Sequence, residues 1–157
     1  MTATESLLNV SNVHVAYPAR RRGGKSARAV DGVDLEIRPG EIVALVGESG
    51  CGKTTLARVI LGLQETSEGS IAFDGELLPT SASGKKAFRR RAQIVFQDPT
   101  ASLNPRHSVY EIVAEGLRIH GLVENEHQVV KNALEQCGLH PAERYMLKYP
   151  HELSGGQ

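Results

Sequence analysis

Along residues 7–17 the chain reads LLNVSNVHVAY, in which Val13, Val15 and Tyr17 alternate with polar or small residues at the period of a half-buried strand. A basic, glycine-containing stretch, residues 20–26, reads as a solvated hairpin loop, and it leads to a second strand expected around residues 29–37. Pro39 and Gly40 then punctuate the chain before Glu41, Ile42, Val43, Ala44, Leu45 and Val46. This nearly unbroken apolar run is the pattern of a strand buried on both faces of a parallel sheet. A glycine-rich stretch follows. After it, Leu56, Val59, Ile60 and Leu63 recur at helical spacing across residues 53–63. The predicted order is strand, loop, helix.

Further on, Ser70, Ile71, Ala72 and Phe73 alternate into the turn dipeptide Asp74-Gly75, which predicts another strand. Residues 85–91 are rich in Lys and Arg and predict a basic helix that feeds a short apolar strand, Ala92, Gln93, Ile94, Val95 and Phe96. From Val109 onward the pattern is helical. Asn125 followed by Gln128 has the form of a capping box, and Val129, Val130, Ala133, Leu134 and Cys137 form one apolar stripe. Gly138 and Pro141 supply its end signals. The pattern predicts an α/β fold in which a small helical subdomain is added to a sheet-containing one. Residues 1–40 and 69–75 contribute an antiparallel β-subdomain, residues 41–68 and 85–98 a core, and residues 99–157 the helices.

Composition narrows the function. The 157 residues are 40% hydrophobic and 23% charged, which excludes a disordered or collagenous chain. No run approaches the ~18 apolar residues of a membrane-spanning helix. Eighteen basic and 18 acidic residues give zero formal charge, so there is no global electrostatic case for nucleic acid or an anionic bilayer as main partner. Cys51 and Cys137 lack the spacing of a zinc site or redox motif, and a reducing compartment is the better match.

The chemistry concentrates in Gly47, Glu48, Ser49, Gly50, Cys51, Gly52, Lys53 and Thr54, which fit G-x-x-x-x-G-K-[ST] at every constrained position, between an apolar run and a helix. A phosphate needs several donors at once. Glycines at 47, 50 and 52 let the backbone N–H groups turn inward as a nest that empties into a helix N-terminus. Lys53 brings a full positive charge to the β- and γ-phosphates, the Thr54 hydroxyl suits Mg²⁺, and Thr55 is a further phosphate donor. Cys51 holds a variable position, and its thiol is expected to be shielded by bound nucleotide. The chain carries neither an Asn-Lys-x-Asp guanine-reading motif nor an Asp-x-x-Gly switch.

The last five residues are Leu153, Ser154, Gly155, Gly156 and Gln157. Joined to the phosphate loop, this pentapeptide resembles the signature of the ATP-binding-cassette (ABC) family. The resemblance implies a P-loop ATPase fold with an N-terminal antiparallel β-subdomain and an inserted helical subdomain. It also implies ATP and Mg²⁺ as ligands, and a head-to-tail dimer in which the signature of one subunit faces the γ-phosphate on the other subunit's loop. Tyr17 matches the family's adenine-stacking aromatic. Gln97, in Phe96-Gln97-Asp98-Pro99, matches the Q-loop, whose amide reaches the Mg²⁺ and the attacking water. Residues 97–106 (QDPTASLNPR) with Tyr149, Pro150, His151 and Glu152 resemble the peptide/nickel importer subfamily, with Arg106 closer to its F-type subunit.

That narrower resemblance implies a homologous ATPase partner, two integral permease subunits, an extracytoplasmic solute-binding protein, and a peripheral position on the cytoplasmic membrane face. Family members continue past the signature with a Walker B strand, a catalytic Glu, a D-loop and a switch His, so this sequence reads as the N-terminal part of such an ATPase. The reading predicts ATP binding, slow hydrolysis at most, and poor stability of these residues alone. Two other classes stay open. One is a non-transport ABC protein acting on nucleic acid, supported only by the basic clusters at residues 20–28 and 85–91. The other is a nucleotide-binding fragment without a catalytic role.

Overall fold

The computed structural model describes residues 6–17, 27–96 and 102–157. The chain divides into two compact units, Met1–Ile94 and Val95–Gln157. The expected hairpin loop at residues 20–26, together with Gln97 and the residues up to 101, lies outside the described residues.

In the first unit β1 (Leu8–Tyr17) pairs antiparallel with β2 (Ala27–Ile37) on one edge and with β3 (Glu68–Phe73) on the other. β4 (Glu76–Leu77) extends the sheet to the order β2-β1-β3-β4 among the described residues. Val10 and Val13 are three residues apart, an odd step that would put them on opposite faces of a regular strand, yet both are buried. A bulge between them explains this: the register against both neighbours shifts there, and Asn12 takes φ 46°. The extra residue returns Val13 and Val15 to the face of Leu8 and Val10. That face packs on Leu56 and Val59 of α1 (Lys53–Ile60) with Val30 and Ile71. Here the helix ends earlier than residue 63, because Gly62 takes φ 62° and its N–H turns back to the Val59 carbonyl.

The bulge has a counterpart in β3. Gly69 has φ 86°, and a Cβ there would stand 2.2 Å from the Asn12 carbonyl oxygen, so only glycine lets the two backbones meet. Nearby, His14 Nδ1 lies 2.9 Å from Asp31 Oδ1, which also accepts from Arg28 at 2.6 Å. This cross-strand cluster holds the Asp31 carboxyl below the usual carboxylate range, chiefly through Arg28.

Three expectations need correction in this unit. The basic helix begins earlier than residue 85: α2 runs Ala82–Phe88, started by the Ser81 hydroxyl accepting from Gly84 N–H at 3.1 Å. Its Phe88 sits edge-on to Phe73 with centroids 5.4 Å apart. Residues 41–46 and 92–96 form no strand among the described residues. Ile42 is 95% exposed and Val95 92%, so among the described residues both apolar runs lack a ladder partner and a covering face.

The second unit is helical: α3 (Val109–His120), α4 (Glu126–Gln136), α5 (Glu143–Met146) and a 3₁₀ turn at Pro150–Glu152. The capping box sits on Ser108 and Glu111, not on Asn125. Glu111 Oε2 accepts the Ser108 N–H at 2.7 Å, and Ser108 Oγ accepts the Glu111 N–H at 3.3 Å. Asn125 is left-handed with no side-chain cap, and Gln128 donates to Asn132 at 2.8 Å instead. Val109, Ala114, Val130, Leu134, Leu139, Ala142 and Met146 form the core. Gly138 ends α4 at φ 83°, as its spacing predicts. Across the helices Arg118 holds Glu126 with two bonds, at 2.9 and 2.7 Å, and Tyr110 donates to the same carboxylate at 2.9 Å. Lys131 pairs with Glu143 at 2.6 Å.

Two measurements follow from this packing. Gly75 has φ 78° and open space, so Gly75→Ala bears only the left-handed cost, about 1–2 kcal/mol. Gly69→Ala adds backbone overlap and loses on the order of 3 kcal/mol or more in urea unfolding. Equal losses in the two variants would show that the bulge does not press on Gly69. The second concerns acid. Glu111, Glu126 and Glu143 have lowered pKa values, caused first by the Ser108 backbone N–H, by Arg118 and by Lys131 respectively. Their stabilisation is present above the unfolded-state carboxylate value near ~4.3 and is lost as pH falls through the depressed folded values. Thermal midpoints followed by circular dichroism fall over that window, and Glu126→Gln makes the fall shallower. An unchanged pH slope in that variant would remove Glu126 from the account.

Candidate phosphate-binding site

The loop at residues 47–54 is built from the backbone outward. Gly50 and Gly52 take φ 86° and 99°, and a Cβ on Gly52 would stand 2.1 Å from the Ala29 carbonyl oxygen of β2. The loop therefore rests directly on the sheet. Gly52 begins α1 with no side-chain cap and no acidic residue in the first turn, while Leu56 N–H is the first to find an intrahelical acceptor, the Gly52 carbonyl at 2.8 Å. The N–H groups of residues 53–55 thus have no intrahelical acceptor and point out of the helix start, where the macrodipole favours an anion.

Lys53 folds back over the loop. Its ammonium donates to the Gly47 carbonyl at 2.8 Å and the Glu48 carbonyl at 2.6 Å, and lies 3.4 Å from Cys51 Sγ. A cation held by neutral carbonyls at the centre of a loop is ready to exchange them for charged oxygens, which make stronger hydrogen bonds. Ser49, Cys51 and Thr54 are exposed around it. A cavity of about 350 Å³ opens beside this contact, and Ala29, Val30, Cys51, Gly52 and Lys53 are among its lining residues.

Tyr17, read from the sequence as an aromatic of the same site, is brought to it. It ends β1 opposite Ala27, and its hydroxyl donates to Gln64 Oε1 at 2.9 Å and lies 3.4 Å from Thr55 Oγ1 in the first turn of α1. The Thr55 hydroxyl holds the Tyr17 phenol below its usual pKa. Two neighbours escaped the sequence reading. Ala29 contributes only a carbonyl, which carries no side-chain signal. Gln64 lies outside every motif, one residue beyond the apolar stripe.

The signature residues lie in the helical unit. Leu153 packs against its core, and Ser154 to Gln157 close a turn in which Ser154 N–H donates to Gln157 Oε1 at 3.0 Å and Gln157 N–H to the Ser154 carbonyl at 2.9 Å. Gly155 and Gly156 face open space. Gln97 lies outside the described residues. Among the described residues no cluster of His, Cys, Asp and Glu could hold a metal ion. A single hydroxyl, Thr54, fits Mg²⁺ taken up with phosphate, a cation that keeps most of its ligands as water and phosphate oxygen. Three of the five basic residues at 85–91 are engaged within the unit: Lys85 with Glu65 at 3.4 Å, Arg89 with the Gly62 carbonyl, and Arg91 with Asp74 and the Phe73 ring.

The family profile described as ABC transporter matches residues 30–157. The chain is 47% identical over 156 residues to YkfD of Bacillus subtilis (strain 168), whose name assigns it provisionally to oligopeptide transport as an ATP-binding protein; the match covers 96% of this chain and 46% of YkfD. It is 44% identical over 161 residues to the oligopeptide transport ATP-binding protein OppF of the same organism, covering 98% of this chain and 50% of OppF. The chain thus spans about half the length of these relatives. Among solved structures it superposes with a TM-score of 0.74 and 28% identity on the dimeric ATP-binding cassette MJ0796 bound to ADP and Pi, covering 96% of this chain and 64% of that one. No helix among the described residues is long and apolar enough to cross a membrane.

The two free, exposed thiols provide a built-in test of the loop. Saturating nucleoside triphosphate slows maleimide labelling of Cys51, which touches Lys53, by about tenfold or more while leaving Cys137 unchanged. Equal labelling of Cys51 with and without nucleotide would show that the ligand does not lie on this loop.

Proposed function

The chain belongs to the ABC transporter family, and from that premise we propose that it is the ATP-binding, energy-coupling part of an importer for oligopeptides or a related small solute. The observation that carries this reading is the Lys53 ammonium, placed over the Gly47 and Glu48 carbonyls at the mouth of an uncapped helix. ATP would enter with its β- and γ-phosphates toward Lys53 and the inward N–H groups of the loop, and its adenine toward Tyr17. Thr54 would take Mg²⁺, which neutralises charge on the phosphates when bound.

Hydrolysis in such a site is attack of water on the γ-phosphorus with ADP leaving. Lys53 and the loop stabilise the charge on the transferring group. Gln97 is assigned the positioning of that water and contact with a permease subunit. Ser154, Gly155 and Gly156 of one copy would face the γ-phosphate on the loop of a homologous subunit, so that ATP closes a head-to-tail pair and its loss reopens it. The sequence segment at residues 97–106 and the names of the relatives support a peptide-type importer with permease partners, at the cytoplasmic membrane face. The engagement of Lys85, Arg89 and Arg91 within their own unit weighs against the nucleic-acid alternative.

The deciding experiment is calorimetric titration of ATP into the whole protein and its Lys53→Ala variant. Affinity falls at least about tenfold, and ATP turnover falls with it. Undiminished affinity would overturn the assignment of the loop as the triphosphate site.

A further inference from the structure

Tyr17 is the last residue of its strand, and the geometry around it is specified from the other side, by α1 and the segment that follows it. Three backbone bonds shape the exit of the helix: Leu61 N–H to the Ala57 carbonyl at 3.1 Å, Gly62 N–H to Val59 at 2.9 Å and Leu63 N–H to Arg58 at 2.8 Å. Ser67 then clips the segment to β1, with its N–H on the His14 carbonyl at 2.8 Å and its hydroxyl accepting the Ala16 N–H at 2.9 Å. Gln64 sits between these two fixed points, half-buried, with Oε1 at 2.9 Å from the Tyr17 hydroxyl.

A tyrosine at a strand end has staggered rotamers to choose from, and a hydrogen bond at the far end of the ring selects one of them. Here the phenol donates to Gln64 and takes the Thr55 hydroxyl at 3.4 Å as its second partner. Both anchors lie on the α1 side. The ring is therefore turned toward the helix whose N-terminus begins the phosphate loop.

We propose that Gln64 is the positioning residue for Tyr17: by accepting the phenol O–H it fixes the ring in the orientation that stacks on a purine, and so sets affinity for the base without touching the nucleotide. This rests on the reading of Tyr17 as the stacking aromatic. The ordering cost of the ring is met before ligand arrives, which raises affinity for adenine and leaves the phosphate contacts unaffected.

The test uses the whole protein and two probes, ATP and inorganic tripolyphosphate, and reads the ratio of their affinities. Tripolyphosphate binding also reports that each variant keeps its loop folded. Tyr17→Ala lowers the ratio. Gln64→Leu lowers it about three- to tenfold with tripolyphosphate affinity unchanged, Tyr17→Phe lowers it by a similar factor, and the two together lower it no further than either alone. Gln64→Glu, which still accepts the phenol proton, restores the ratio. If Tyr17→Ala lowers the ratio while Gln64→Leu does not, the positioning role of Gln64 is wrong and the stacking reading stands. If Tyr17→Ala leaves the ratio unchanged, the stacking reading fails and takes this inference with it.

Discussion

The contact between Gly52 and Ala29 sets the frame for the rest of the site. A Cβ at Gly52 would stand 2.1 Å from the Ala29 oxygen, so the loop and β2 meet backbone to backbone, a distance no other residue permits. Two residues back along the same strand, Ala27 is the ladder partner of Tyr17. One short stretch of β2 thus fixes the start of α1 on one side and the end of β1 on the other. The loop proposed to cradle a phosphate and the aromatic proposed to meet a base are placed by the same three residues of chain. Lys53 completes the arrangement by bonding the two carbonyls at the start of its own loop, which holds the loop closed around a positive centre before any anion is present.

Legibility of the fold in the sequence follows from the range of the interactions that make each element. The helix at residues 53–60, the turn at Asp74-Gly75 and the stop at Gly138 are decided locally, and periodicity and turn chemistry find them. Apolar runs are different. Hydrophobicity at residues 41–46 and 92–96 records a demand for burial, whereas a strand is a relation to a neighbour, and among the described residues neither run has one. Capping shows a third case. Both Ser108–Glu111 and Asn125–Gln128 have permissible spelling, but a carboxylate accepts backbone N–H more strongly than an amide, and only the first pair closes. The loop at residues 47–54 is legible because the phosphate nest proposed for it would require a fixed spacing. Gln64 is not, because its partner lies 47 residues away and nothing in its neighbours marks it.

The two units hold themselves together by different means. The sheet unit depends on β-branched side chains, with Val10, Val13, Val15 and Val59 almost fully buried, shapes that fit a pleated surface and a helix laid on it. The helical unit packs on smaller side chains, with Ala114 and Ala142 fully buried, and like the sheet unit it carries charged pairs. Those pairs are exposed enough to be individually weak, so they orient the helices more than they stabilise them.

Three of the polar groups proposed to meet ATP share one further property. Each has a resident partner: Lys53 rests on two carbonyls of its own loop, the Tyr17 hydroxyl on Gln64, and the Ser154 N–H on the Gln157 side chain. At Lys53 and Ser154 the resident acceptor is neutral. A phosphate oxygen is a charged acceptor, and hydrogen bonds to it are roughly twice as strong. Exchange at these two positions is therefore favourable for a phosphate and nearly indifferent for water or a neutral solute. A site so proposed would select for charge by the acceptor that the ligand must displace, and Tyr17 would be exempt because a base offers a face and not an acceptor. On the proposal that Gln64 positions Tyr17, its hydroxyl would keep Gln64 with the ligand bound, which would separate recognition of the base from recognition of the phosphates within a single loop and strand end.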